Sequence, residues 1–282
     1  MSARWRHAGS ALLAASMLLV VGCSDDGSSD GAAAPASSTT STPSTTAATE
    51  VPGTELVGRW AHYDIVAYED ELMKTMIVSY GFTDFTVEDG QLIESEEFCH
   101  ADQISDQPIE TSISDAATQA IKPVSTPVEV TGEPGAWRVM RPGTPTPVGI
   151  RLEDPANDPL PSDPDDPRIV DDDGDGNPGI TVKVRIGDGF EGELYIARRE
   201  IFAYDMVQTG PDSLSGTVTD SSEQLVIGAS LEMLETTDAQ WEQVPDRSLS
   251  PILLERVGDD WDCDRLMAER DDLFPPDPPI GW

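Results

Sequence analysis

The chain has 282 residues, with 17 Lys and Arg against 53 Asp and Glu, a formal charge of -36 and 38% hydrophobic residues. So acidic a composition excludes the grip on phosphate that nucleic-acid binding requires, and equally an electrostatic hold on anionic lipid. The apolar fraction lies below the usual range for compact chains, which predicts that part of this one does not pack.

Residues 1–10 carry Arg4 and Arg6 and no acid, 11–21 are an unbroken small and apolar run (ALLAASMLLVV), and Gly22-Cys23 follow. A basic n-region, a short h-region and a small residue before the cut predict a signal peptide over 1–22, too short to span a bilayer as a stable helix. Val20-Val21-Gly22-Cys23 resembles the lipobox of bacterial lipoproteins. The resemblance implies that Cys23 is joined to diacylglycerol, that the leader is removed after Gly22, and that palmitate-type chains on the new N-terminus hold the protein to a membrane. Two or three such chains anchor stably where one does not. The implied location is the cell envelope, at the outer face of the cell membrane or at the outer membrane, with an acidic body kept in solvent.

Residues 23–53 are almost wholly Ser, Thr, Ala, Pro, Gly and Asp without apolar periodicity. They bury too little to offset their chain entropy and read as a lipidated, disordered tether, with an average reach of roughly 30 Å.

From 54 to 282 the pattern is that of a single β-rich domain. Leu56–Ala67 has strand character; Phe82–Val87 and Gln91–Phe98 flank the hairpin signal Asp89-Gly90. Ile113–Ile121 has helical spacing, and Ala136–Met140 reads as a short strand before an acidic, Pro-rich loop over 141–179. Ile180, Val182, Val184 and Ile186 then alternate with Thr181, Lys183 and Arg185, the period of a half-buried strand, and pair through Gly187-Asp188-Gly189 with 193–204. Strands at Ser215–Asp220, Gln224–Ala229 and Pro251–Val257 precede a helix over Asp260–Phe274, stopped by Pro275 and Pro276. The fold class expected is mainly β, an antiparallel barrel or sandwich with a C-terminal helix.

With Cys23 lipidated, Cys99 and Cys263 remain, and in an exported protein they are expected to form one disulfide; the alternative is a Cys99–His100 nucleophile pair. The most specific chemistry is Asp171-Asp172-Asp173-Gly174-Asp175-Gly176-Asn177. Hard oxygens at alternate positions converge on one cation when the backbone turns sharply, as Gly174 permits. The run resembles the DxDxDG calcium loops found outside helical contexts, with Asp171, Asp173 and Asp175 as side-chain ligands and Asn177 as a carbonyl ligand. An EF-hand is excluded, because the twelfth position is Val182. The other reading is a metal-free solvated turn. With an incomplete ligand set, a structural calcium of ~10⁻⁴–10⁻³ M affinity is expected. The segment from Pro161 to Arg168, followed by the acid run and a β-hairpin, also resembles an uncharacterised family of bacterial lipoproteins with an Asp-rich loop, which implies no activity.

His62 and His100 are the only histidines after the leader, and no HExxH, GxSxG, P-loop or CxxC occurs. Acid runs such as Glu96-Glu97 and Glu69-Asp70-Glu71 read as solvated faces. Gly58-Arg59-Trp60 on the first strand is similar to the Gly-x-Trp of lipocalins, in which an Arg after the last barrel strand packs across the Trp; Arg256 is the matching position. The alternative is an ordinary core aromatic. The expected function is a non-catalytic binding or structural module of the envelope, with a small apolar ligand or an envelope protein as partner, and no enzyme. A carboxylate-dependent hydrolase of the cell surface is the alternative.

Overall fold

The computed structural model describes residues 51–282 except 71–72, 188 and 235–241, so the leader, Cys23 and all but the end of the tether lie outside the described residues. The first strand, β1 (Gly58–Glu69), is buried on both faces almost throughout, with the polar His62 and Asp64 buried among its apolar residues. It pairs along its whole length with β2 (Lys74–Glu88), from Gly58 opposite Phe85 to Glu69 opposite Lys74. β2 turns into β3 (Gln91–Ser105) through Asp89 and Gly90, both at positive φ (50° and 80°), the pair of left-handed residues a two-residue hairpin requires.

Beyond β3 the ladder is built from shorter pieces. β4 (Ile109–Ile113) meets β3 at Asp102 opposite Ser112, and the helix α1 (Asp115–Gln119) follows. β5 (Thr126–Pro127) returns to β3, and β6 (Glu129–Thr131) pairs with β7 (Arg138–Val148). The long β9 (Phe190–Gly210) carries β8 (Ile180–Ile186) and β7 in succession along one edge. Along its other edge run β11 (Glu223–Ala229) and β10 (Ser213–Asp220). β12 (Glu242–Gln243) adds to the end of β1. β10 pairs with β13 (Pro251–Arg256), and β13 pairs with β1. Every pairing is antiparallel. Followed from β1 through β2, β3, β4, β8, β9, β10 and β13, the hydrogen-bonded neighbours return to β1.

Alternation sends Trp60, His62, Asp64, Val66 and Tyr68 to one side of β1. Trp60, Val66 and Tyr68 join a core with Phe85, Met206 and Leu254. Ala61, Tyr63, Ile65 and Ala67 go to the other side, beneath the C-terminal helix α2 (Cys263–Leu273). Asp262 caps α2 by accepting from Arg265 N at 2.9 Å, Leu266 is fully buried, and Phe274 stacks on Tyr63 with ring centroids 5.4 Å apart. The Cys99–Cys263 disulfide ties the first turn of α2 to β3. The expected helix over 260–274 therefore starts three residues later, its acidic lead-in serving as the cap.

Two expectations are corrected. The helix expected over Ile113–Ile121 is only α1, because Ile113 ends β4 and Ser114 is the cap, accepting from Ala117 N at 3.1 Å. The Pro-rich loop expected over 141–179 begins at 149, because β7 runs on to Val148 through Pro142, Pro145 and Pro147. Past Met140 its only ladder partner is β9, so the missing proline N–H groups cost no second ladder, and the register shifts between Arg141 and Thr144.

Candidate functional site

The acidic loop leaves the sheet after β7 and returns at β8. Gly149 and Gly179 bring its two ends together: a Cβ on Gly149 would lie 2.9 Å from the Gly179 backbone, and both have positive φ. Asp172 fastens the base, accepting from Gly149 N at 2.9 Å and from Arg151 through both carboxylate oxygens. Its neighbours serve a second arrangement. Asp171 accepts from the backbone N–H groups of Asp175 and Gly176, and Asp173 accepts through Oδ2 from Thr181 N at 3.0 Å. One carboxylate oxygen from each of Asp171, Asp173 and Asp175 lies within 4.8 Å of the other two. Asn177 holds this cluster as a donor, its N–H reaching Asp175 at 2.8 Å and its side-chain amide at 3.2 Å.

Two oxygens at this cluster are buried without a hydrogen bond: Asp173 Oδ1 and the hydroxyl of Thr181, a residue only 4% exposed. Thr181 lies on the face of β8 opposite Ile180 and Val182, towards the loop. Burial pushes the Asp173 carboxyl up, reinforced by the charge of Asp175. Partial burial raises Asp175 too, but the nearby Thr181 hydroxyl and Asn177 outweigh it and hold that carboxyl below its ordinary value. Three carboxylates and a hydroxyl, all hard oxygens with two lacking a donor, form a donor set suited to a divalent cation.

The other face of β8 looks onto a cavity of about 1120 Å³ lined by residues of β1–β4 and β7–β11. Its walls are mostly aliphatic, among them Ile77, Ile180, Val182, Val184, Leu194 and Ile196. Tyr68, Arg198, Glu200 and Asp220 form one interacting polar group on the wall, and further polar residues, among them Asp70, Asp102, Gln103, Thr111 and Glu223, also line the cavity. Arg198 donates through Nε to Glu200 at 3.1 Å and through Nη1 to Gln224 at 3.3 Å, and Tyr68 OH donates to Asp220 at 2.5 Å. Burial pushes the Glu200 carboxyl up, against the pull of Arg198.

A second polar group is buried between the strands, and little in the sequence points to it. His62 shares hydrogen bonds with Asp64 (2.7 Å) and Thr83 (3.0 Å). Arg141 pairs with Glu96 at 3.0 Å, lies 3.5 Å from Glu94 and donates to the Phe202 carbonyl at 2.7 Å. Glu94 is fully buried, and burial together with the charge of Glu96 pushes its carboxyl up to about 8 despite Arg141. The Glu96-Glu97 run is thus split by strand alternation: Glu96 turns inward to Arg141, while Glu97 pairs with Arg59 at 2.6 Å on the outside. The Cys99–His100 nucleophile reading fails, since Cys99 is in the disulfide and His100 bonds Asp115 at 2.6 Å and Asp102 at 3.0 Å. Of Glu69-Asp70-Glu71, Asp70 lines the cavity, Glu69 is exposed, and Glu71 lies outside the described residues.

At the far end of β1, Arg256 lies over the Trp60 ring, 4.2 Å from its centre, with the two residues opposite each other in the β1–β13 ladder. Its guanidinium also donates to the Val57 and Glu55 carbonyls at 2.9 and 2.7 Å, so it closes the entry turn as well as covering the indole. Comparison with protein-family models, with curated proteins and with solved structures finds no match to this chain.

Proposed function

We propose that this chain is an exported, lipid-anchored protein of the cell envelope whose β domain is a closed antiparallel barrel that holds a small apolar ligand without transforming it. The cavity of about 1120 Å³ lined by the strands carries this reading. Ordinary interiors are close-packed, and a large apolar space with a few convergent polar groups is the usual form of a ligand site. The cyclic order of strand pairings supports closure, since a ring has no free edge. The Gly58-x-Trp60 and Arg256 contact supports kinship in architecture with lipocalin-type barrels. The Asp171, Asp173 and Asp175 cluster with the Thr181 hydroxyl supports a structural calcium of weak affinity that pins the start of β8. The hydrolase alternative draws less support. Its carboxylates on the cavity wall, Glu200 and Asp220, are engaged by the protein itself, Glu200 by Arg198 at 3.1 Å and Asp220 by Tyr68 OH and Ser222, and the buried pair Glu94 and Glu96 does not line the cavity, whereas glycosidase-type acids must flank a substrate bond.

The test is titration of the purified β domain with the fluorescent apolar probe N-phenyl-1-naphthylamine, together with native mass spectrometry of the full mature protein. The expected results are saturable binding of the probe, abolished by Val184→Trp, and an N-terminal acyl mass. A folded domain that leaves the probe dark would overturn the binding role. An unmodified, uncleaved N-terminus would overturn the anchor.

A further inference from the structure

The polar groups of the cavity set the chemistry of its ligand. We infer that the cavity takes a long aliphatic molecule with an uncharged, hydroxyl-bearing head, a neutral lipid such as an acylglycerol or lipid alcohol, and discriminates against fatty-acid anions. The inference rests on the binding reading above and adds the class of ligand to it.

Arg198 is the only cationic residue among the described residues that line the cavity, and it is already engaged. It donates to Glu200 on its own strand, and Asp220 stands on the facing strand β10 with Tyr68 OH between the two groups' neighbourhoods. An anionic head would bring a third carboxylate to one guanidinium, beside Glu200 and Asp220. Like charges so placed in a low-dielectric cavity repel one another far more strongly than in water. Asp220 is not a free site for a cation either. It accepts from Tyr68 OH, from Ser222 N at 2.7 Å and from the Ser222 hydroxyl, and Arg198 lies close enough to repel an ammonium group. The remaining wall acids supply no cation and so do not alter the balance: Asp70 accepts from Met73 N at 2.8 Å, Asp102 pairs with His100 at 3.0 Å, and Glu223 pairs with Arg199.

A hydroxyl suits the same groups, because it donates and accepts at once. Glu200 and Asp220 present carboxylate lone pairs to a donor. The guanidinium has five N–H groups, of which Nε is given to Glu200 and one on Nη1 to Gln224, so it has donors to spare even with one turned on Tyr68. The aliphatic walls and a volume at the top of the ~300–1,000 Å³ range of small-ligand sites suit a long alkyl chain.

The experiment displaces bound N-phenyl-1-naphthylamine from the full mature protein with three molecules of equal chain length: 1-monododecanoylglycerol, dodecanoate and dodecyltrimethylammonium. The glycerol ester is expected to displace the probe at least tenfold more tightly than either ion. Dodecanoate binding as tightly as the ester, or dodecyltrimethylammonium binding more tightly than it, would overturn the inference while leaving the cavity reading intact. Failure of the probe to bind at all removes both. In the Glu200→Gln and Asp220→Asn double variant, Arg198 is released and the preference against dodecanoate is expected to fall by at least tenfold. An unchanged preference in a variant with wild-type circular dichroism would also overturn the assignment.

Discussion

Glu94 is the residue whose environment departs furthest from what its type suggests. It is wholly buried, with Arg141 3.5 Å away and Glu96 beside it on the same strand face, and burial pushes its carboxyl up to about 8. In the unfolded chain the same carboxyl ionises near its ordinary value of 4.5. Between these two values the folded chain binds more protons than the unfolded one, so stability falls as pH rises through that window and is greatest below it. Glu94→Gln removes the burden while keeping the shape. It is expected to raise stability at pH 8 by about 1–3 kcal/mol and to flatten its dependence between pH 5 and 8, as read by urea denaturation at several pH values. A steeper pH dependence in the variant would refute the assignment. This residue was not legible beforehand. Ile93-Glu94-Ser95-Glu96 reads as a strand with acids on its solvent face, and only the closing of β3 between β2 and the β5–β7 side turns that face inward.

At the level of elements, the strands that pair with their sequence neighbours were readable and those that pair at a distance were not. Asp89-Gly90 and the alternation over 180–186 mark the β2–β3 and β8–β9 hairpins directly. β1 has its expected length, shifted by two residues, whereas β2 is far longer than Phe82–Val87, because both its faces are buried along much of its length, which erases the period-two signal. The acidic loop was legible as a donor set, since Asp171, Asp173 and Asp175 alternate. Thr181 was not, because its value comes from the loop folding back across the start of β8. If this cluster takes calcium with the weak affinity its ligand count suggests, 10 mM CaCl₂ should stabilise the domain by about 1.5–3 kcal/mol. Magnesium at equal ionic strength should do much less, since it demands a tighter octahedron. Asp173→Asn should erase the calcium effect without lowering stability in chelator. Equal shifts from the two metals in thermal melts, or an unaltered calcium shift in Asp173→Asn, would rule the site out.

For the molecule as a whole, charge and pairing pull in opposite directions. The ion pairs among the described residues are mostly exposed on at least one side, as with Arg185 and Glu110 at 58% and 76%, and such pairs contribute little, about 0–1 kcal/mol each. Against them stands a formal charge of -36 over 282 residues, whose mutual repulsion is relieved when the chain expands. Salt weakens both, but the repulsion is summed over many more pairs, so screening should favour the folded state. The melting temperature at pH 7 is therefore expected to rise with NaCl. Most of the gain should come below about 0.15 M, where the Debye length has shrunk from ~30 Å to ~8 Å. A fall in melting temperature over that range would mean that the ion pairs outweigh the repulsion. Acidification should act in the same direction as salt, both by discharging the surface and by favouring protonated Glu94. The two causes separate in the Glu94→Gln variant, which should keep its full response to NaCl and lose only the part of its pH response that Glu94 supplies.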